Sequence, residues 1–104
     1  MKLRYTPEAI CDLELIQDYI TNRLMNPTAA QGIIRGIAIA CNRLKDQLHI
    51  GVALRKKTDR EIDGYCLISG AYMIIYDVDE AVSIIRILDA RLDYMRILFG
   101  EAQA

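Results

Sequence analysis

The sequence predicts an α+β fold in which a helical hairpin packs on a short antiparallel sheet. In the first half of the chain, apolar residues recur every three or four positions, which is typical of helices. In the second half they alternate or run together over short stretches between turn sequences, which is typical of strands. Because the helices and strands are segregated along the chain, the pattern favours helices layered on one face of an antiparallel sheet.

The chain has 104 residues, a formal net charge of −1, 53% hydrophobic residues and 26% charged residues. This length supports one modest hydrophobic core, so residues 1–104 are predicted to form a single domain. No apolar run reaches the roughly 18 residues that a membrane span needs. No apolar signal segment follows the first residues. We therefore expect a cytoplasmic protein that does not associate with membranes.

The first predicted elements are a short strand over residues 2–6 and a helix that follows it. Thr6 can cap this helix, and Pro7 suits its first turn, where a backbone N–H would have no partner. The helix carries an apolar stripe at helical spacing, while its acidic residues lie off the stripe. The stripe consists of Ala9, Leu13, Ile16, Ile20 and Leu24.

A second helix is predicted over residues 28–48, after Asn26 and Pro27 interrupt the first pattern. Six apolar residues step alternately by four and three, the spacing of a face that packs on a partner helix. They are Ala30, Ile34, Ile37, Cys41, Leu44 and Leu48. The short connection favours an antiparallel hairpin. Gly32 and Gly36, four residues apart, are compatible either with close approach of another element or with simple tolerance of glycine.

Four strand-like runs follow at residues 52–56, 64–68, 71–78 and 83–88. Turn sequences separate the last three, and such short turns join antiparallel neighbours. In the run at 71–78, both alternating sets of side chains are apolar, whereas a sheet with one solvated face shows polar residues on that face. We therefore expect the second face of the sheet to be covered by the C-terminal segment, residues 93–99, or by another chain.

The composition excludes several kinds of site. Zinc needs about four clustered ligands, and one histidine, His49, cannot complete such a set with three scattered cysteines. Cys11, Cys41 and Cys66 form no C-x-x-C pair and are expected to be free, small, buried side chains. We expect neither a metal nor a cofactor. The chain also lacks the overall basic surplus that is typical of proteins that bind nucleic acid through its phosphates.

Four short sequences follow one another with the order and spacing of a known family. They are Thr6-Pro7-Glu8-Ala9 with Asp12-Leu13, Asn26-Pro27 with Ala29-Ala30, Tyr72 to Val78, and Ile84 to Leu88 followed by Arg91 and Asp93-Tyr94. In these features the chain resembles the RelE/ParE toxin superfamily of type II toxin–antitoxin systems. The Asn-Pro-x-Ala-Ala linkage between the helices is similar to the ParE branch.

The resemblance implies a growth-inhibiting toxin, associated with plasmid stabilisation, that a cognate antitoxin from an adjacent gene neutralises in a hetero-oligomer. ParE-like members inhibit DNA gyrase. RelE-like members are endoribonucleases that cut messenger RNA in the ribosomal A site, so the ribosome is the alternative target. A degenerate, non-toxic domain that only binds the antitoxin is a third hypothesis.

RNA cleavage without a metal needs cations to stabilise the phosphorane and groups that transfer protons. RelE-like ribonucleases resemble one another in carrying lysines and arginines on their central strands. The matching positions in this chain are Cys66, Leu67 and Met73. A ribonuclease would be left with three candidate catalytic residues, which are Arg86, Arg91 and Tyr94. The preferred hypothesis is therefore a gyrase inhibitor without catalytic chemistry of its own.

Six basic residues are candidates for contact with the target or the antitoxin. They are Lys56, Lys57, Arg60, Arg86, Arg91 and Arg96. The first three belong to a charged run that can equally serve only to solvate a loop. Arg86 stands between two isoleucines in an apolar strand. A strand arginine of this kind commonly points outward or pairs with a carboxylate, such as Asp77 or Asp89.

Overall fold

A computed structural model describes residues 1–48, 50–54 and 64–90 of the chain. The elements are β1 (Lys2–Tyr5), α1 (Pro7–Asp18), a π-helical turn (Tyr19–Arg23), α2 (Pro27–Arg43), β2 (Val52–Ala53), β3 (Tyr65–Ser69), β4 (Tyr72–Val78) and β5 (Ala81–Asp89). This order confirms the α+β prediction of a strand and a helical hairpin followed by a run of strands. None of the helices in the described ranges combines the length and the apolar character that a membrane crossing needs.

The strands form one five-stranded sheet in the order β1-β5-β4-β3-β2. Strands β2 to β5 pair antiparallel with their sequence neighbours, and the short turns between β3, β4 and β5 predict this for the last three. β1, in contrast, pairs with β5 in parallel. The predicted count of three or four antiparallel strands is therefore corrected to a mixed sheet of five. Parallel pairing requires a long connection, and the chain between β1 and β5 provides it. The helical hairpin forms the first part of this connection and leads from β1, at one edge of the sheet, to β2, at the other edge.

Thr6 joins β1 to α1 and attaches both to β5. Its backbone N–H donates to the Ile84 carbonyl (3.0 Å), and its hydroxyl donates to the Ile85 carbonyl (2.8 Å). The same hydroxyl accepts a hydrogen bond from the Ala9 N–H (3.2 Å), which confirms the predicted cap. One threonine therefore ends the strand, begins the helix and fixes the start of the helix against the sheet.

The helical hairpin has the predicted break at Asn26 and Pro27. Asn26 Oδ1 accepts from the Ala29 N–H (3.1 Å), and Pro27 occupies the first turn of α2. Before the break, α1 passes into the π-helical turn, in which the Leu24 N–H donates to the Tyr19 carbonyl (3.1 Å). A π-helical turn contains more residues than an α-turn and rotates the residues after it relative to the apolar stripe. Leu24 is accordingly 56% exposed instead of continuing the buried stripe.

α2 ends earlier than predicted, at Arg43 and not near residue 48. The N–H groups of Leu44, Lys45 and Asp46 donate to carbonyls three residues earlier, at 3.1–3.2 Å. Such bonds are those of a tight 3₁₀-type turn, which ends an α-helix. The apolar periodicity continues beyond this point because Leu44 and the half-buried Leu48 still pack against the core.

Two hydrophobic clusters lie on opposite faces of the sheet. The helix-side cluster comprises Ala9, Ile37, Ala40, Cys41, Leu44, Ile74, Tyr76, Val82, Ile84 and Ile87. The outer cluster comprises Leu54, Cys66, Met73 and Ile75. This confirms that β4 is apolar on both faces. Met73 and Ile75 are 2% and 4% exposed, so this part of the second face is covered within the single chain, whereas Ile68, which pairs with Met73, is 48% exposed. The proposed covering segment, residues 93–99, lies outside the described residues.

The three cysteines are free, as predicted, but they differ in burial. Cys41 and Cys66 are buried in the two clusters. Cys11 is exposed, so the prediction of burial is wrong for this residue. It lies between Ala9 and Leu13 in the sequence but off the stripe that they form, on the solvent side of α1.

Candidate functional site

Arg86 is the one candidate contact residue within the described ranges, and a carboxylate of α1 holds it. Its Nε donates to Asp12 Oδ2 (2.7 Å), and its Nη2 donates to Asp12 Oδ1 (3.0 Å). The Ile87 backbone N–H also donates to Asp12 Oδ2, at 2.9 Å. The interpretation that a strand arginine pairs with a carboxylate is thus correct in kind, but the partner is Asp12 and not one of the two aspartates named from the sequence.

An irregularity in β5 accompanies this contact. Ile75 of β4 pairs with Arg86, whereas the next residue, Tyr76, pairs with Ile84. Ile85 is therefore an extra residue in β5, which is the arrangement of a β-bulge. Bulges change the direction of nearby side chains, and Arg86 follows the extra residue directly. The bulge explains how Arg86, although it belongs to an apolar strand, reaches Asp12 on α1.

Side chains from the α1 region complete the edge of β5 where β1 ends. β1 pairs with β5 only as far as Tyr5, opposite Ile84. Beyond that point, Thr6 donates to the Ile85 carbonyl and Asp12 accepts from the Ile87 N–H. We call this contact between the helix and the strand, made by Thr6, Asp12 and Arg86, the Asp12 junction. It replaces the missing part of β1 with polar side chains, so the β5 backbone groups remain paired.

The electrostatics of the junction stabilise the charged form of Arg86. Asp12 is only 8% exposed, and its carboxylate accepts three hydrogen bonds. The hydrogen bonds to Asp12 raise the pKa of the Arg86 guanidinium, and the nearby carboxylate of Glu8 acts in the same direction. A buried carboxylate requires such pairing, since an unpaired charge would be costly to remove from water. The Arg86 side chain is 29% exposed, so it contacts solvent while the pair holds it.

The central strands do not present cations at the positions where RelE-like ribonucleases carry them. Cys66 and Met73 are each 2% exposed and belong to the outer cluster. Leu67 is half-buried and packs against the helix-side cluster. Neither a thioether nor an alkyl group stabilises a phosphate or transfers a proton. These three strand positions contribute to hydrophobic packing and not to a polar site.

The remaining predicted site residues cannot be placed in this geometry. Lys56, Lys57, Arg60, Arg91, Tyr94 and Arg96 lie outside the described residues. Their suggested contacts with a target or an antitoxin therefore stay predictions. The same holds for Arg91 and Tyr94 as candidate catalytic groups.

A surface pocket of about 420 Å³, which the sequence does not predict, lies where β1, β5 and β4 meet. Arg4, Ser83 and Asp77 are in register on these three strands, and Arg4 Nε donates to Ser83 Oγ (2.8 Å). Asp79 also lines the pocket. Only the parallel pairing of β1 with β5 brings these residues together, so local sequence patterns carry no signal for them. Within the described ranges, no three histidine, cysteine or carboxylate side chains cluster in a way that could hold a metal ion.

The fold resembles those of two chains in solved structures, one described as a toxin–antitoxin system and the other as a toxin–antitoxin complex. One is the chromosomal ParDE system from P. aeruginosa, with a TM-score of 0.71 and 22% identity over 88% of this chain and 97% of that chain. The other is the RelBE2 complex from Mycobacterium tuberculosis, with a TM-score of 0.54 and 24% identity over 86% of this chain and 91% of that chain. At these identities, the likeness establishes the fold.

Sequence comparison assigns the family. No curated protein matches the chain. The model of the family described as "ParE toxin of type II toxin-antitoxin system, parDE" matches residues 3–94, which include every element described above except Lys2, the first residue of β1. By this match over most of its length, the chain belongs to the ParE toxin family of type II toxin–antitoxin systems.

Proposed function

We propose that this chain is an active toxin that inhibits DNA gyrase in the cytoplasm and that a cognate antitoxin neutralises it by forming a hetero-oligomer. The observation that carries the proposal is the burial of Cys66 and Met73 where a ribosome-dependent nuclease of this fold carries cationic groups. A toxin without such groups acts by binding, and binding is sufficient to block a large enzyme that must change conformation during its cycle.

The state of Arg86 supports the same proposal. An arginine stabilises a developing phosphorane best when its positive charge is not already balanced by a carboxylate of the protein. Arg86 instead forms two hydrogen bonds with the largely buried Asp12. Moving the guanidinium to a substrate would leave that carboxylate with the Ile87 N–H alone. The cost of exposing such a carboxylate makes Arg86 suited to supporting the fold and not to catalysis.

The antitoxin part of the proposal depends on the family and on the two structural relatives. By their own descriptions, one relative comes from a ParDE toxin–antitoxin system and the other from the RelBE2 toxin–antitoxin complex. An antitoxin gene beside this one, with a DNA-binding N-terminal part and a charged amphipathic tail, is the expected source of the partner. Co-production of that protein should abolish the growth inhibition.

The test is a short induction of the chain in growing bacteria, with labelled thymidine and labelled methionine incorporation followed in parallel. We expect thymidine incorporation to fall first and purified gyrase to lose supercoiling activity when the chain is added. An early loss of methionine incorporation would favour the ribonuclease. No change in either label would favour the non-toxic domain.

Single alanine variants would locate the contact surface. Apart from Arg86, which Asp12 holds, the predicted contact residues are Lys56, Lys57, Arg60, Arg91 and Arg96, and Lys2 is a matched control because it is exposed on β1. We expect at least one of the five variants to weaken gyrase inhibition about tenfold while Lys2→Ala leaves inhibition unchanged. Equal inhibition by all six would place the contact elsewhere on the chain.

A further inference from the structure

The two helices of the hairpin carry opposite charges. α1 contains four acidic residues and no basic residue, whereas α2 contains Arg35 and Arg43 and no acidic residue. Asp12 is neutralised by Arg86, which leaves Glu8, Glu14 and Asp18 exposed on α1. Arg35 and Arg43 are also exposed, and neither takes part in an ion pair among the described residues. Each helix therefore presents a face whose charge no other described residue balances.

The exposed apolar side chains are concentrated on the same hairpin. Of the nine large hydrophobic residues found exposed among the described residues, six belong to the hairpin. They are Ile10, Leu15, Tyr19, Leu24, Met25 and Ile39. Ile39 is 55% exposed and lies midway between Arg35 and Arg43 on one side of α2, since the three residues are spaced by four. A face that combines apolar side chains with unpaired charges has the composition of a protein–protein contact.

Contacts with the other described residues do not require glycine at positions 32 and 36. A Cβ atom at either position would meet nothing within 4 Å, apart from the helix's own backbone. Glycine in a helix interior nevertheless costs about 1 kcal/mol relative to alanine. Gly32 lies on the exposed side of α2, where the absence of a side chain would allow a second helix to approach the backbone. The glycine pair is therefore compatible with the close approach of a helix from a second molecule.

We propose that the outer face of the helical hairpin binds a second copy of this chain, with α1 of each copy lying across α2 of the other. A two-fold axis that lies between the two copies and runs parallel to their helices gives this arrangement. Each α1 is then antiparallel to the α2 of the other copy that it contacts. The acidic face of one copy then meets the basic face of its partner twice. A two-fold axis perpendicular to the helices would place α1 on α1 and α2 on α2, which sets like charges together.

The positions of the charges along the hairpin fit this arrangement. Counted from Met25 in the connection, Glu14 is eleven residues before and Arg35 ten residues after, so they lie at nearly the same height. Cys11 and Ile39 are each fourteen residues from Met25. An axis parallel to the helices preserves height, so Glu14 of one copy reaches Arg35 of the other. The exposed Ile39 then packs beside the exposed face of the partner's α1.

The contact is small. Helices of 12 and 17 residues are about 18 and 25 Å long at 1.5 Å per residue. An overlap of this size is at the lower end of specific protein interfaces, so we expect a weak dimer with a Kd on the order of micromolar. Because exposed ion pairs are screened by salt, dimerisation should weaken between about 50 mM and about 500 mM salt.

The experiment is sedimentation equilibrium of the isolated full chain and of charge-reversal variants, with circular dichroism to verify folding. The acidic variant is Arg35→Glu and the basic variant is Glu14→Lys, because these two residues lie at nearly the same height on the crossing helices. Each should be monomeric alone, with dimerisation at least about tenfold weaker than in the natural chain. An equimolar mixture of the two should recover dimers, because both crossing pairs regain opposite charges. Lys2→Glu, which changes one exposed charge outside the hairpin, should leave dimerisation unchanged.

A steric variant tests the close approach independently. Gly32→Leu should leave the monomer folded, since the space around this position is open, but should weaken dimerisation. A chain that stays monomeric at all concentrations would overturn the proposal. The proposal would also be overturned if the acidic variant dimerised as tightly as the natural chain. It would be overturned as well if mixing the two variants did not restore dimerisation. If Arg35→Glu weakens antitoxin binding while the natural chain is monomeric, the face belongs to the antitoxin. Gyrase inhibition, measured on the same variants, would report separately on the proposed function.

Discussion

Two polar contacts attach other parts of the chain to the sheet, and they differ in charge. At the Asp12 junction, a carboxylate and a guanidinium connect α1 to β5. On β4, the neutral Tyr76 hydroxyl donates to the Leu48 carbonyl (3.0 Å) and accepts from the Gly51 N–H (3.1 Å). We call this second contact the Tyr76 junction. It fixes the segment that follows α2, whereas the Asp12 junction fixes the beginning of the hairpin.

The difference determines how each junction fails. Loss of one member of the Asp12 junction leaves a charge without its partner in a largely buried place, and that cost exceeds the net value of the pair. Loss of the Tyr76 hydroxyl leaves two neutral backbone groups, which is a smaller penalty. The Tyr76 junction instead depends on close packing, because Gly51 lies directly against the tyrosine ring. One junction is therefore sensitive to charge and the other to volume.

The largest effect is expected from Arg86→Met. This change leaves the Asp12 carboxylate, 8% exposed, with one hydrogen bond in place of three. The free energy of unfolding, measured by urea denaturation, should fall by about 3 kcal/mol or more. Asp12→Asn should cost less, because the Arg86 side chain is 29% exposed and can bind water. The double variant should cost less than the sum of the single changes.

Arg4→Met is the matched control for this prediction. Arg4 is exposed on the neighbouring β1 and makes one hydrogen bond, to Ser83. Its replacement should change the unfolding free energy by no more than about 0.5 kcal/mol. Equal effects of Arg86→Met and Arg4→Met would show that the Asp12 junction contributes no more than a surface ion pair.

A smaller effect is expected from Gly51→Ala, which tests the packing of the Tyr76 junction. The added Cβ would collide with the Tyr76 hydroxyl and lie 2.8 Å from the Cys66 carbonyl oxygen, which belongs to the strand backbone. The free energy of unfolding should fall by about 1–3 kcal/mol, as for other overpacked sites. Gly36→Ala is the control: its Cβ meets open space, so it should stabilise α2 by up to about 1 kcal/mol. If Gly36→Ala and Gly51→Ala destabilised the chain by similar amounts, the space for a Cβ atom would be equally restricted at the two positions.

These contacts show which parts of the fold local sequence can predict. The cap at Thr6, the break at Asn26 and the two-sided burial of β4 all follow from residues close together in the chain. The parallel pairing of β1 does not, because its partner is about 80 residues away. The short α2 also escapes prediction, since Leu44 and Leu48 remain apolar for packing reasons after the helix has ended.

The same limit applies to the candidate site. Sequence reasoning identified Arg86 as unusual because a charge stood among isoleucines, and it anticipated a carboxylate partner. It chose aspartates from the strands, whereas the partner, Asp12, is 74 residues away on α1. A usable signal was present, since Asp12 lies between the apolar stripe residues Ala9, Leu13 and Ile16 and would be buried with them. A buried aspartate on a helix face requires a cation or N–H donors, and Arg86 was the candidate.

The smallest effect is expected from Tyr76→Phe, which removes the hydroxyl but keeps the ring in the helix-side cluster. The Leu48 carbonyl and the Gly51 N–H each lose a partner, so the unfolding free energy at neutral pH should fall by about 1 kcal/mol. The stacking of the ring on Tyr65, with centroids 5.4 Å apart, should persist. A loss larger than that caused by Arg86→Met would reverse the comparison between the neutral and the charged junction.

The difference between the natural chain and Tyr76→Phe should shrink at alkaline pH. Burial raises the pKa of the Tyr76 hydroxyl above its ordinary value of 10.0, so the native state holds this proton more tightly than the unfolded chain does. The contribution of the protonated Tyr76 hydroxyl to the free energy of unfolding is present below about pH 10 and is lost as the pH rises through the native pKa. Tyr5 and Cys41, whose pKa values burial also raises, occur in both proteins and cancel in the comparison. Urea denaturation of both proteins between about pH 7 and about pH 11 measures how their free energies of unfolding converge. Parallel pH profiles would mean that the hydroxyl titrates alike in the native and unfolded states.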